Sequence, residues 1–151
     1  MLDLITNISK TEDITLVTLN DFPAKIDEIA NIFYSLKESS INVDMISHSV
    51  GLGGNISLSF SALDKDLGMI FMIVASLRTR FNDISCDVSA SNTKFLFYGE
   101  KMKDAPGVAS DVFNLLKEHN IDVKMITTSE SEISILVDKA HADVLSGVLK
   151  V

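Results

Sequence analysis

Leu36-Lys-Glu-Ser-Ser-Ile-Asn-Val-Asp-Met-Ile46 returns eighty residues later as Leu116-Lys-Glu-His-Asn-Ile-Asp-Val-Lys-Met-Ile126, with seven of eleven positions identical. A repeat of this kind sets the architecture before any single element is assigned. The residues leading into each copy repeat as well. Ile29, Ile32, Phe33 and Leu36 follow the i, i+3, i+4, i+7 spacing of a helix face, and so do Ala109, Val112, Phe113 and Leu116. Each copy therefore reads as the end of an amphipathic helix running into a short turn and a strand.

The flanks repeat the same logic. Residues 14–19 and 94–98 are β-rich and precede the helices. Residues 41–50 and 121–128 follow them as strands. Ile56, Leu58 and Phe60 alternate with Ser57, Ser59 and Ser61, the signature of a half-buried strand, with Ile133, Ile135 and Val137 as its counterpart. Gly51-Leu-Gly-Gly-Asn55 supplies the glycines of a hairpin turn; in the second half only Ser129-Glu-Ser131 is available, so that hairpin is tighter. Second helices come next. Leu67, Ile70, Phe71, Val74 and Leu77 form one stripe after an acidic Asp64-Lys-Asp66 turn, and Lys139–Leu149 carries Val144, Leu145 and Val148 on one face. Residues 84–89 give the first unit a fourth strand. The second unit has none of its own, and Leu2–Ile8, with strand composition and no other role, is expected to cross over and complete it.

The order is βαββαβ twice: α+β, ferredoxin-like, with antiparallel sheets and helices on one face. The expected division is residues 12–91 for the first domain and 92–151 plus strand 2–8 for the second.

Composition narrows the function. Thirteen basic against 21 acidic residues leave a net charge of −8, the wrong sign for phosphate neutralisation, so nucleic acid is not expected as a partner. Met69–Ala75, the longest apolar run, is too short to cross a bilayer, and the N-terminus lacks the basic and apolar regions of a signal peptide, so a cytoplasmic protein with no membrane partner is expected. Cys86 stands alone, which excludes an internal disulfide framework and any cysteine-based metal knuckle.

No catalytic constellation emerges. Gly51-Leu-Gly-Gly54 leads into a strand and not a helix, so it is not a phosphate loop. His48, His119 and His141 have no metal-ligand spacing, and Cys86 has no adjacent base. Arg78 and Arg80 lie in one helix, away from any anion-binding loop of the acylphosphatase kind. Phe95, Phe97 and Tyr98 sit where RNA-binding sheets carry aromatics, but without basic flanks. Neither cofactor nor metal is called for.

The connection between strand one and helix one is more informative. In the second unit it reads Lys103-Asp-Ala-Pro-Gly107, with a proline suited to a first helical position and a glycine that lets a ligand approach exposed N–H groups. In the first unit it reads Asn20-Asp-Phe-Pro-Ala-Lys-Ile-Asp27, three residues longer between proline and strand and without Pro-Gly.

Asp104-Ala-Pro-Gly-Val-Ala109, then Ile121-Asp-Val-Lys-Met-Ile-Thr-Thr-Ser-Glu130, then Ile133-Ser-Ile-Leu-Val137 resemble the second ACT domain of aspartokinases, and Ile41-Asn-Val-Asp-Met-Ile46 is similar to the first. The resemblance covers nearly the whole chain. It implies two ACT domains interlocked through the N-terminal strand, binding lysine or threonine where two such domains meet edge to edge in a homodimer. By the same resemblance Asn20, Asp21, Phe22, Ala24, Lys25, Ile26 and Asp27 would hold the amino acid's carboxylate and amino groups. Asp44, Ser47 and His48 would complete the pocket, with His48 where the family often has glutamine, and Thr127, Thr128, Ser129 and Glu130 would contribute across the interface. The kinase's own Gly-rich and substrate-binding segments are absent, so no enzyme activity is expected. The chain resembles a separately made regulatory subunit or a free-standing ACT protein that acts by allostery on an amino-acid-biosynthetic enzyme. The alternative is an ACT protein that has lost its ligand and serves only oligomerisation.

Overall fold

The computed structural model describes residues 3–51 and 53–151. In chain order the elements are β1 Asn7–Pro23, α1 Ile26–Glu38, β2 Ile46–His48, β3 Asn55–Leu63, α2 Leu67–Arg80, β4 Ser85–Tyr98, α3 Val108–Glu118, β5 Met125–Thr128, β6 Glu132–Val137 and α4 Lys139–Leu149. The chain divides into two compact units, residues 13–90 and residues 91–151 together with the segment up to Glu12. β1 and β4 each serve both units. At the two boundaries Asp13 and Ser91 take left-handed φ values of 57° and 58°, a conformation that Asp adopts more readily than most residues with a Cβ.

The unit of residues 13–90 has strand order β2-β3-β1-β4. β3 runs antiparallel to β1 from Ile14↔Leu63 to Pro23↔Asn55, and β2 adds three residues to the other side of β3. The alternation expected for β3 places Ile56, Leu58 and Phe60 in the core with Val17, Leu19 and Phe22 of β1. Ile32 and Leu36 of α1 and Ile70, Val74 and Leu77 of α2 close over them, and Phe33 meets Phe60 edge-on at 6.0 Å. Each such side chain contributes roughly 1.5–3 kcal/mol by leaving water. Phe71, expected in the α2 stripe, is half exposed, and Ser61, expected on the polar face, is fully buried because its hydroxyl receives the Met45 N–H at 2.9 Å.

The other unit has strand order β5-β6-β4-β1, its core built on Phe95, Phe97, Val112, Leu116, Ile133, Ile135 and Leu145. Leu4, Ile5 and Ile8 pack against that core, and Thr6 N–H donates to the Tyr98 carbonyl at 2.8 Å. Among the described residues the N-terminal strand begins at Asn7, later than expected, with Asp3 and Leu4 in a turn; Leu2 of the expected strand lies outside the described residues. The buried face of α3 is Val108, Val112 and Leu116, whereas Ala109 and Phe113 are exposed; on α4, Ala142 and Leu145 are buried and Val144 is exposed.

The repeated sequence has a repeated structure. Ile41 N–H donates to Leu36 O and Ser40 N–H to Lys37 O, both at 2.9 Å, with Ser40 left-handed at φ 57°. Ile121, Leu116, Asn120 and Lys117 make the same pair of bonds at 2.9 and 3.1 Å, with Asn120 at φ 51°. This is a Schellman cap, in which Leu36 and Ile41, like Leu116 and Ile121, supply the apolar contact that accompanies it. The strands that follow are shorter than the apolar runs suggested. Ile41 and Met45 are buried by packing, and ladder pairing starts only at Ile46 and Met125. No helix among the described residues is long and apolar enough to cross a membrane.

Candidate functional site

In the unit of residues 13–90, the end of β1 carries the feature around which polar groups gather. Leu19 pairs with Leu58 and Phe22 with Ile56, so Asn20 and Asp21 together oppose Ser57 alone. Such a bulge re-aims side chains at the end of a strand. Asp21 absorbs the extra residue at φ 55°. Asn20 is thereby held from both sides: its Nδ2 donates to Asp87 Oδ2 at 2.7 Å and its Oδ1 accepts from Ser57 Oγ at 3.0 Å. Ser57 N–H donates to Ser49 Oγ at 2.9 Å, Ser49 N–H returns a bond to Ser57 O, and His48 Nδ1 lies 2.8 Å from the Ser49 carbonyl oxygen. Asn20, Ser49 and Ser57 border an open cleft of about 390 Å³ that also includes Asp21, Val50, Asn55 and Ile56.

The connection to α1 is only Ala24 and Lys25, with Ala24 N–H donating to Gly54 O at 2.9 Å. Of the stretch expected as a loop, Asn20–Pro23 belongs to β1, while Ile26 and Asp27 open α1. Phe22 is fully buried in the core and faces no ligand. The first turn of α1 already carries Asp27 and Glu28, which complement its positive end without a ligand. Glu28 is engaged by Arg80 at 2.9 Å.

Ser47 and His48 are exposed on the edge strand β2. They face opposite sides of the sheet, because Ser47 pairs with Ser59 and His48 with Leu58. Asp44 lies at the other end of the strand, where its N–H donates to Ser61 O at 3.2 Å. The four-residue step from Asp44 to His48 is roughly 13 Å at strand rise, so Asp44 does not reach the cleft. Ser49, Asn55, Ser57 and Asp87 do, or brace it, and were missed from sequence. The repeated Ser-x-Ser pattern of β3 marked a solvent face but gave no sign that a bulge on β1 would focus on Ser57.

In the other unit Thr127 and Thr128 lie on β5, opposite Ser134 and Ile133, and Ser129 N–H donates to Glu132 O at 2.9 Å to close the turn, with Glu130 exposed at its tip. α3 starts after Gly107, left-handed at φ 105°; Pro106 precedes that cap instead of occupying the first helical position. At α4, Asp138 Oδ1 accepts from His141 N–H and lies equally close, 2.9 Å, to its Nδ1. The backbone N–H of His141 does most to lower the Asp138 pKa; burial opposes it, and the His141 ring and the Lys124 charge add to the lowering. In residues 13–90, burial pushes the Cys86 thiol up, Asp87 adds to this, and Arg78 partly offsets it, the opposite of what a nucleophile needs. No group of three His, Cys, Asp or Glu among the described residues is placed to hold a metal ion.

Comparison with known proteins agrees with the fold. An ACT domain family model matches residues 97–144. The aspartokinase of Bacillus sp. (strain MGA3) is 28% identical over 138 residues, a match covering 91% of this chain and 34% of the relative. The regulatory subunit of aspartate kinase from Thermus thermophilus, solved ligand-free, superposes with a TM-score of 0.87 over 98% of both chains at 20% identity. E. coli aspartokinase III, solved in complex with lysine and aspartate, superposes with a TM-score of 0.73 at 20% identity over 97% of this chain and 33% of its own. The chain thus spans about a third of the length of the curated relatives that it matches. Its two ferredoxin-like units resemble the ACT domains of the aspartokinase regulatory region.

Proposed function

We propose that this ACT pair is a regulatory module that binds a free amino acid of the lysine or threonine class and controls an amino-acid-biosynthetic enzyme, as a partner or a fused domain, by allostery. The observation that carries the reading is the cleft at the β1 bulge, bordered by the braced Asn20, Ser57 and Ser49 and lying beside an edge strand, Ile46–His48, exposed along its length. An α-amino acid needs acceptors for its ammonium and donors for its carboxylate. Asp21, on the cleft, supplies the first, and Asn55 and Ser49, which also line it, carry donors for the second. The acidic surroundings favour a ligand with a second positive charge, in keeping with the lysine of the E. coli aspartokinase III complex. An exposed strand edge is a pairing surface, and a homodimer formed there would wall the cleft on its open side. Binding would act by favouring one arrangement of the paired domains, with a coupling equal to the ligand's differential affinity for the two states.

Titration calorimetry of the folded chain against the twenty amino acids tests this. Heat for lysine, threonine or a close analogue, at least tenfold weaker in Asn20→Ala, is the expected result; silence across the panel sinks it. A second reading, an ACT protein that only oligomerises, draws on the acidic first turn of α1 and its lack of Pro-Gly. It predicts a mass in solution that no amino acid changes.

A further inference from the structure

α2 departs from the amphipathic pattern of α1 and α3. Ile70, Val74 and Leu77 reach the core, yet Met69, Phe71 and Met72 on its other sides are 44%, 50% and 66% exposed. A helix apolar all round wants cover on more than one side. Between α2 and α1 runs a groove of about 260 Å³, with Ile32 and Ile73 inside, Met72 on its wall and Arg80 at its end. Charge is segregated along the same helix. Asp64, Lys65 and Asp66, net acidic, precede it, and Arg78 and Arg80, the only arginines in the sequence, lie in its last turn.

We propose that this face is a self-association surface, on which α2 of a second copy lies antiparallel across α2 of the first about a two-fold axis near Met72. Two chains of net charge −8 repel at long range, so a contact between copies needs local complementarity. The antiparallel dyad provides it twice, setting Asp66 of each copy towards Arg78 of the other and opposing the two helix dipoles. It also lets Met72 of each copy enter the groove of its mate, with the adaptability of an unbranched thioether. A uniformly acidic partner would meet repulsion at the Asp66 end and a uniformly basic one at the arginine end; a second copy matches both. The contact is distinct from the strand edge of β2 and needs no bound amino acid, so it stands or falls separately from the calorimetry above.

Sedimentation equilibrium of the full chain over a range of concentrations is the test. Met72→Asp, at an exposed position that leaves the circular dichroism unchanged, is expected to weaken self-association at least tenfold, while Ile46→Asp on the β2 edge leaves this step intact. Asp66→Lys and Arg78→Glu each weaken it alone, and an equimolar mixture of the two variants restores association to within about threefold of the parent, because each now presents the other's complement. A chain monomeric at every concentration, association indifferent to Met72→Asp, or a mixture no tighter than its separate variants would overturn the proposal.

Discussion

The carbonyl oxygen of Leu4 fills the space that a Cβ on Gly99 would occupy. Only glycine allows this approach, by which the N-terminal segment lies against the end of β4 and delivers Leu4, Ile5 and Ile8 to a core otherwise made of residues 95–149. The clash is with backbone on both sides, so it cannot be relieved by a rotamer change. Gly99→Ala is expected to cost about 1–3 kcal/mol, the range for forced overpacking. Urea denaturation measures the loss, and amide exchange localises it: protection of Thr6 and its neighbours should fall first. A wild-type midpoint would mean the segment does not dock there.

Ser40 and Asn120 hold equivalent left-handed cap positions, where glycine is the usual residue. A residue with a Cβ pays roughly 1–2 kcal/mol for that conformation, and glycine gives back part of the gain through its freer unfolded chain. Ser40→Gly is expected to stabilise by a net of about 0.5–1 kcal/mol. Asn120→Gly should gain less, since Asn visits this region more readily. Thermal midpoints of the two variants check both the sign and the order.

These caps show why so much of the fold was legible. Leu36, Ser40 and Ile41 encode a helix stop and its apolar clasp within six residues, and the repeat at Leu116, Asn120 and Ile121 doubles the signal. Alternation in β3 was equally local. The face of α3 was not: the sets Val108, Val112, Leu116 and Ala109, Val112, Phe113, Leu116 share two members and differ by a small rotation, and only packing selects the first. The cleft was less legible still. The Asn20–Asp21 bulge depends on β3 register, and Asp87 joins it from a strand 67 residues away. Resemblance pointed to the same end of β1 as the cleft but also drew in Phe22, a core residue, and Asp44, at the far end of the edge strand.

Asn20 joins Asp87 and Ser57, so its substitutions separate geometry from charge. Asn20→Asp would place a carboxylate where the amide now donates to Asp87 at 2.7 Å. Like charges so placed destabilise a sheet pair by up to about 1 kcal/mol. The double variant Asn20→Asp with Asp87→Asn reinstates an amide–carboxylate pair and is expected to recover most of that loss. A cycle with no coupling between the two positions would show that the bond does not hold the bulge.

Asp138 caps α4 through His141 N–H, and the same bond lowers its pKa below the usual 3.8. The sign of the pH dependence follows. The unfolded chain takes up the proton more readily than the folded one, so the contribution is fully present above the unfolded value and is lost as pH falls through the folded value. Asp138→Ala is expected to cost about 1 kcal/mol at pH 7, the ordinary worth of an N-cap. That difference from the parent should persist at pH 5 and shrink below pH 4, as the parent's own carboxylate protonates. Asp138→Asn keeps an oxygen acceptor for the His141 N–H, so it should lose less at pH 7 and remove the acid-dependent part of the difference. Urea midpoints at pH 7, 5 and 3 for parent and both variants make the comparison, with the other carboxylates cancelling between them. A gap for Asp138→Ala that stays constant down to pH 3 would mean that the carboxylate charge contributes nothing to the cap.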